Sequence, residues 1–209
     1  MTTAVIEHRD DVGSRMGLWL FLFSELILFG GMFIIYAVYR FKHPEEFRLA
    51  ATELDSLIGT INTIILLTSS LTVAMSITAI RQDKKYFSLA LVGTTIILAF
   101  VFLVNKYFEW SHKISLGIYP QSPDLLNKPP GEILYFGLYY VMTGLHALHV
   151  IIGIIVLAGM IVFIGTGKIN QHSFVRLEAG GLYWHLVDII CFPKNITAIF
   201  YLGLKILIL

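Results

Sequence analysis

An all-α, polytopic membrane bundle of five transmembrane helices is the fold this sequence predicts, and three observations predict it. Five apolar stretches fill most of the chain of 209 residues, each at or beyond the ~20 residues with which a helix crosses ~30 Å of hydrocarbon. Hydrophobic residues make up 56% of the chain against 14% charged, and the mean hydropathy of +0.77 lies outside the range of soluble domains. Polar residues stand inside the apolar stretches: Glu25, Glu109, His146, His149, Glu178, His185 and Asp188. A charge in hydrocarbon costs about 2.5 kcal/mol or more, so such residues face a protein interior, a partner or a water-filled path.

Residues 1–15 (MTTAVIEHRDDVGSR) carry both signs of charge and lack the basic start, short apolar run and small-residue cleavage site of a secretory signal. They are expected to form a polar tail, with residues 16–209 a single transmembrane helical domain whose first span, 16–39, is a retained anchor. The second and third spans, 57–80 and 86–110, are joined by the tight basic turn RQDKK, and Asp55 is a candidate helix-starting residue before the second. The connection from His112 to Glu132 holds four of the six prolines and is predicted as an extended surface segment. The fourth span is 133–165 and the fifth 177–209, with Ser173 as its candidate cap and Pro193, Lys194 and Asn195 as a break where lipid-facing helix would tolerate them poorly. Gly30, Gly31, Gly144, Gly153, Gly180 and Gly181, with Ser69 and Ser70, offer small faces for close helix approach.

Other function classes are disfavoured by composition. The net charge of +1 gives no sign of a nucleic-acid partner. The lone Cys191 rules out an internal disulfide and reads as a small core residue. Five spans put the termini on opposite sides of the membrane. Basic residues divide almost evenly between the two sides, and the dense RQDKK loop tips the expectation toward a cytoplasmic amino terminus.

The polar residues admit two readings. His146 and His149 are three apart on one helix face, as are His185 and Asp188, with Glu178 seven before His185. Glu109 and His112 make an E-x-x-H at a span end. Di-metal bundles combine carboxylates with two E-x-x-H pairs at one depth, whereas only one such pair occurs here. The favoured reading is a structural polar network in which His185 and Asp188 satisfy one another and Glu178 meets a histidine of the fourth span. No catalytic residue and no metal ligand is assigned. Glu25 stands alone about nine residues into the first span, as a hydrogen-bonded neutral carboxyl or as a proton-linked or partner-facing group.

The strings SELILF, INTIILLTSSLT (Ile61 to Thr72), NKYFEW (Asn105 to Trp110), TGLHALHVIIG (Thr143 to Gly153) and EAGGLYWHLVD (Glu178 to Asp188) together resemble subunit III of the haem-copper oxidases. The resemblance spans Gly17 to Asp188, and five helices in this length are similar to the short bacterial form, which lacks the first two of seven helices. It implies an accessory, non-catalytic subunit of an aerobic terminal oxidase in a prokaryotic inner membrane, with no redox centre of its own. Its partners would be subunit I, which carries the haems and copper, other oxidase subunits and bound phospholipid. It would support stability, lipid binding and proton uptake by the catalytic subunit, in respiratory oxygen reduction coupled to proton pumping. By the same resemblance Glu25 occupies the place of a buried, carbodiimide-reactive glutamate, and His149, Glu178, His185 and Asp188 occupy polar bundle positions. Arg81 and Lys84 fall at a basic turn where lipid phosphates could be met. The run after Asp188, IICFPKNITAIFYLGLK, departs from the family pattern. Two alternatives are an accessory subunit of a nitric oxide reductase system, and a free-standing di-metal oxidoreductase built on Glu109, His112, His146, His149, Glu178 and His185.

Overall fold

The structure is a computed structural model that describes residues 11–53, 56–169, 174–175 and 177–190. Six helices follow in order, α1 Asp11–Lys42, α2 Pro44–Thr52, α3 Ser56–Arg81, α4 Lys85–Ser115, α5 Pro123–Leu126 and α6 Pro130–Gly165, and residues 177–190 form a further helix, α7. The described residues contain no strand, as the apolar pattern predicts.

Among the described residues four helices are long and apolar enough to cross a membrane: Met16–Lys42, Leu57–Arg81, Lys85–Ser115 and Pro130–Gly165. They cover the first four predicted spans, and the chain is already helical at Asp11, inside the segment predicted as a polar tail. Of the predicted fifth span, 177–190 is helical and 191–209 lies outside the described residues. Cys191 and the expected break at Pro193 to Asn195 fall there, as do the candidate caps Asp55 and Ser173 elsewhere in the chain.

The α3–α4 hairpin is the backbone of the bundle. Its turn is closed by Lys84 N–H donating to the Ala79 carbonyl at 2.9 Å and Asp83 N–H to Ile80 at 3.0 Å. This is the bonding of a helix-ending motif whose penultimate residue is left-handed, and Asp83 sits there at φ 59°. Along the hairpin three polar rungs tie the helices: Ser88 Oγ donates to the Ser76 carbonyl at 3.0 Å, Thr72 and Thr95 hydroxyls meet at 2.8 Å, and Asn105 Nδ2 donates to Asn62 Oδ1 at 2.9 Å. Helices in lipid gain little from hydrophobic association, so short side chains and such bonds hold them together.

Helix α6 packs on α4, and α7 closes the core with Trp184, fully buried among Val73, Val92, Phe102, Val150 and Leu157. Gly153 makes that seat: a Cβ there would lie 2.7 Å from the Trp184 ring. Trp184 Nε1 in turn donates to Ser69 Oγ at 3.1 Å. Gly181 likewise faces Ile77 and Val73, whereas Gly30 and Gly31 meet nothing within 4 Å. The predicted small faces are therefore used on α6 and α7, and open on α1.

The two longer connections are structured, which corrects the expectation of an extended proline-rich segment. Ser122 accepts from Leu125 N–H at 3.1 Å and Pro123 opens the short α5, so Leu125 turns inward. It joins Phe47 and Ala50 of α2 and Tyr135 and Phe136 of α6 in a second apolar cluster. Proline at a first helical position favours a turn, and a buried leucine rewards it.

Candidate intramembrane polar site

Glu25 is not isolated. Its Oε2 lies 2.8 Å from His149 Nε2, with both side chains largely buried near the middle of α1 and α6. His149 Nδ1 is 2.7 Å from the Leu145 carbonyl, an acceptor only, so Nδ1 carries a proton. The contact on the other nitrogen then needs one more proton, either on the carboxyl or on Nε2. The pair holds that proton and is electrically neutral overall in both forms, which is how two ionisable groups tolerate a hydrocarbon layer. Phe29 packs edge-on to the His149 ring at 5.3 Å, and the Tyr183 hydroxyl donates to the His149 carbonyl at 3.1 Å, tying α7 to the same point.

Glu109 forms a separate group toward the end of α4. Lys106 Nζ donates to it at 2.7 Å and the Tyr139 hydroxyl of α6 donates as well. His112, the other half of the E-x-x-H, is exposed on the helix surface. Helical spacing offered Glu109 two neighbours, Lys106 and His112; the cation wins because it neutralises the carboxylate.

Two pairings expected from spacing are corrected. His185 Nδ1 meets Ser70 at 2.5 Å across to α3, not Asp188. Asp188 is buried, and neither of its oxygens makes a hydrogen bond among the described residues; the Ser70 hydroxyl, already engaged by His185, is a polar neighbour. Glu178 meets no histidine of the fourth span; the Arg81 guanidinium donates to it. Arg81 also lies over the Phe174 ring at 4.8 Å, so the basic turn is partly committed within the chain, while Lys84 stays exposed. His146 is buried against Phe102, ring centroids 5.5 Å apart.

The singled-out residues thus occupy several places along the bundle rather than one network. Among the described residues no three or more His, Cys, Asp or Glu side chains gather as metal ligands would. Sequence reasoning missed Lys106, Tyr139, Ser70 and Tyr183 as partners; Lys106 alone carried a signal, its i,i+3 spacing to Glu109.

Outside the spans a clasp joins the loops. Lys128 Nζ lies 2.7 Å from Glu53 and 3.1 Å from Glu132, and Glu46 accepts from the Gly131 N–H at the start of α6. Partial burial pushes the Lys128 ammonium pKa down, but its bonds to Glu53 and Glu132 outweigh this and hold it above the ordinary lysine value.

Comparison with known proteins matches residues 3–203 to the family model described as cytochrome c oxidase subunit III. A haem-copper oxidase subunit I+III of Aeropyrum pernix is 31% identical over 195 residues, 88% of this chain and 22% of that longer protein. A cytochrome c oxidase subunit 3 of Thermostichus vulcanus is 33% identical, covering 88% of this chain and 84% of the relative. A probable quinol oxidase subunit 3 of Staphylococcus haemolyticus is 27% identical over 97% of this chain and 96% of the relative. The chain therefore spans about a fifth of the fused protein but most of the separate subunits.

Proposed function

This chain belongs to the cytochrome c oxidase subunit III family, and from that premise we propose that it serves as an accessory subunit of a haem-copper terminal oxidase in a prokaryotic inner membrane, docked on the catalytic subunit I. The observation that carries this reading is the match to the family model from residue 3 to 203. Docking on subunit I is supported by the Aeropyrum relative, whose name joins subunits I and III in one protein.

In this reading the chain binds and orients and carries out no redox step. Haem and copper belong to the partner, and oxygen reduction takes place there. The Glu25–His149 pair supplies a proton-holding group near mid-membrane, through which the subunit supports proton uptake by its partner. A carboxyl that carries the shared proton is the form a hydrophobic carbodiimide attacks, and Glu25 is the residue proposed to react. Lipid retention would use apolar flanks and exposed Lys84, and the amino terminus lies on the cytoplasmic side. Whether the electron donor is a quinol or a cytochrome c is a property of other subunits.

Mild-detergent purification of the tagged chain, followed by mass spectrometry of the intact assembly, tests the proposal. Co-purification with a haem- and copper-bearing subunit that reduces oxygen is expected. Recovery with a nitric oxide reductase instead, or as a free metal-loaded protein, would overturn it.

A further inference from the structure

We propose that the cavity between α1, α3, α4, α6 and the end of α7 is a hydration site, holding roughly one or two water molecules anchored by the side-chain amide of Asn62. The cavity measures about 30 Å³, and about 10–15 Å³ is enough for one water. Phe102 and Met142 form apolar walls, while Asn62, Lys106, Thr143 and His146 bring polar groups to the lining.

Asn62 makes this more than a packing gap. Its side chain is 1% exposed. Oδ1 is taken by Asn105 Nδ2 at 2.9 Å, and Nδ2 has no hydrogen-bond partner among the described residues. A buried donor left unpaired bears its full desolvation cost, and the hydrocarbon around the bundle offers no replacement acceptor. Water in the cavity supplies one.

Such a water also has further partners. Thr143 Oγ1 spends its proton on the Tyr139 carbonyl at 2.5 Å, which leaves its lone pairs free to accept. Lys106 gives one proton to Glu109 at 2.7 Å and has others to give. Two to four polar contacts are what distinguishes a wet cavity from a dry apolar one. An acyl chain or an apolar side chain would leave the Asn62 amide stranded, and a lipid headgroup is far larger than the space. The water would extend from the Lys106–Glu109 pair inward to His146. Phe29, which lines the cavity and also packs on His149, is the wall between this water and the Glu25–His149 pair.

The test is X-ray radiolysis of the intact complex in ¹⁸O-water, which oxidises side chains beside bound water. Label on Phe102 and Met142 is expected despite their burial, with none on Phe136, which is equally buried but does not line the cavity. Asn62→Leu fills the space and removes the donor, so the label on both residues should be lost. Phe102 as unlabelled as Phe136 in the native complex, labelling unchanged in Asn62→Leu, or acyl-chain density in the cavity would overturn the proposal. If Asn62→Leu does not assemble, the native labelling decides by itself.

Discussion

The bond between Glu25 and His149 changes what either residue can do alone. Spacing within α1 presents Glu25 as a solitary acid, because its partner lies in α6, 124 positions away. Two substitutions separate the pair's roles. Glu25→Gln keeps the shape and can donate its amide to Nε2, so the complex should assemble and reduce oxygen at a near-normal initial rate. It should lose carbodiimide labelling at this site and inactivate sooner during turnover. A turnover time course with peptide mapping checks this, and a collapsed initial rate in a fully assembled complex would place Glu25 on the catalytic path. Glu25→Ala strands the buried imidazole and should lower stability by ~1–3 kcal/mol, read as a lower melting temperature of the purified complex. The identity of the important residues was legible from their cost in hydrocarbon. Their partners were not, since His185 with Ser70 and Glu178 with Arg81 are contacts between helices distant in sequence.

At the scale of elements, α7 depends on the groove that Gly153 leaves for Trp184. Gly153→Val should force the indole out of its seat, at a cost of about 1–3 kcal/mol for overpacking. Protease exposure of the segment after α6 should rise, whereas Gly30→Val, where a Cβ meets nothing within 4 Å, should leave it unchanged. The loop clasp is pH-dependent in a known direction. Because the Lys128 pKa is raised on folding, its contribution is fully present below the ordinary lysine value of about 10.4 and is lost as pH climbs above it. Melting temperature should thus be insensitive to this group near neutrality and fall in the alkaline range, and Lys128→Met should remove that part of the fall. Prolines inside a helix break it and so point to an extended connection, but Pro123 and Pro130 stand at helix starts, where the missing N–H costs nothing. The predicted interruption at Pro193 to Asn195 is checked by cysteine labelling at Asn195, which should react with aqueous reagents.

For the whole molecule, the spans differ in how much of themselves they bury. In α1 only 11% of the most apolar stretch is buried against the rest of the chain, compared with 39% in α3. That apolar face, left open by the other described residues, suits lipid or another subunit of a larger assembly. Metal analysis of the isolated chain after chelator washing is expected to find no stoichiometric iron, copper or manganese; metal retained there and lost on changing His149 and His185 to Ala would contradict the accessory role. The sequence by itself determined the fold class, the four spans from Met16 to Gly165 and the family, because each rests on runs of local composition or on strings of adjacent residues. Tertiary structure alone decided that Glu25 has a histidine, that Glu109 gains a tyrosine from α6 beside its local lysine, and that Asn62, whose Nδ2 has no partner among the described residues, lines a cavity. Helical periodicity specifies which residues share a face, but it cannot say which face of which helix lies opposite, and in a hydrocarbon layer that choice determines how every buried charge is neutralised.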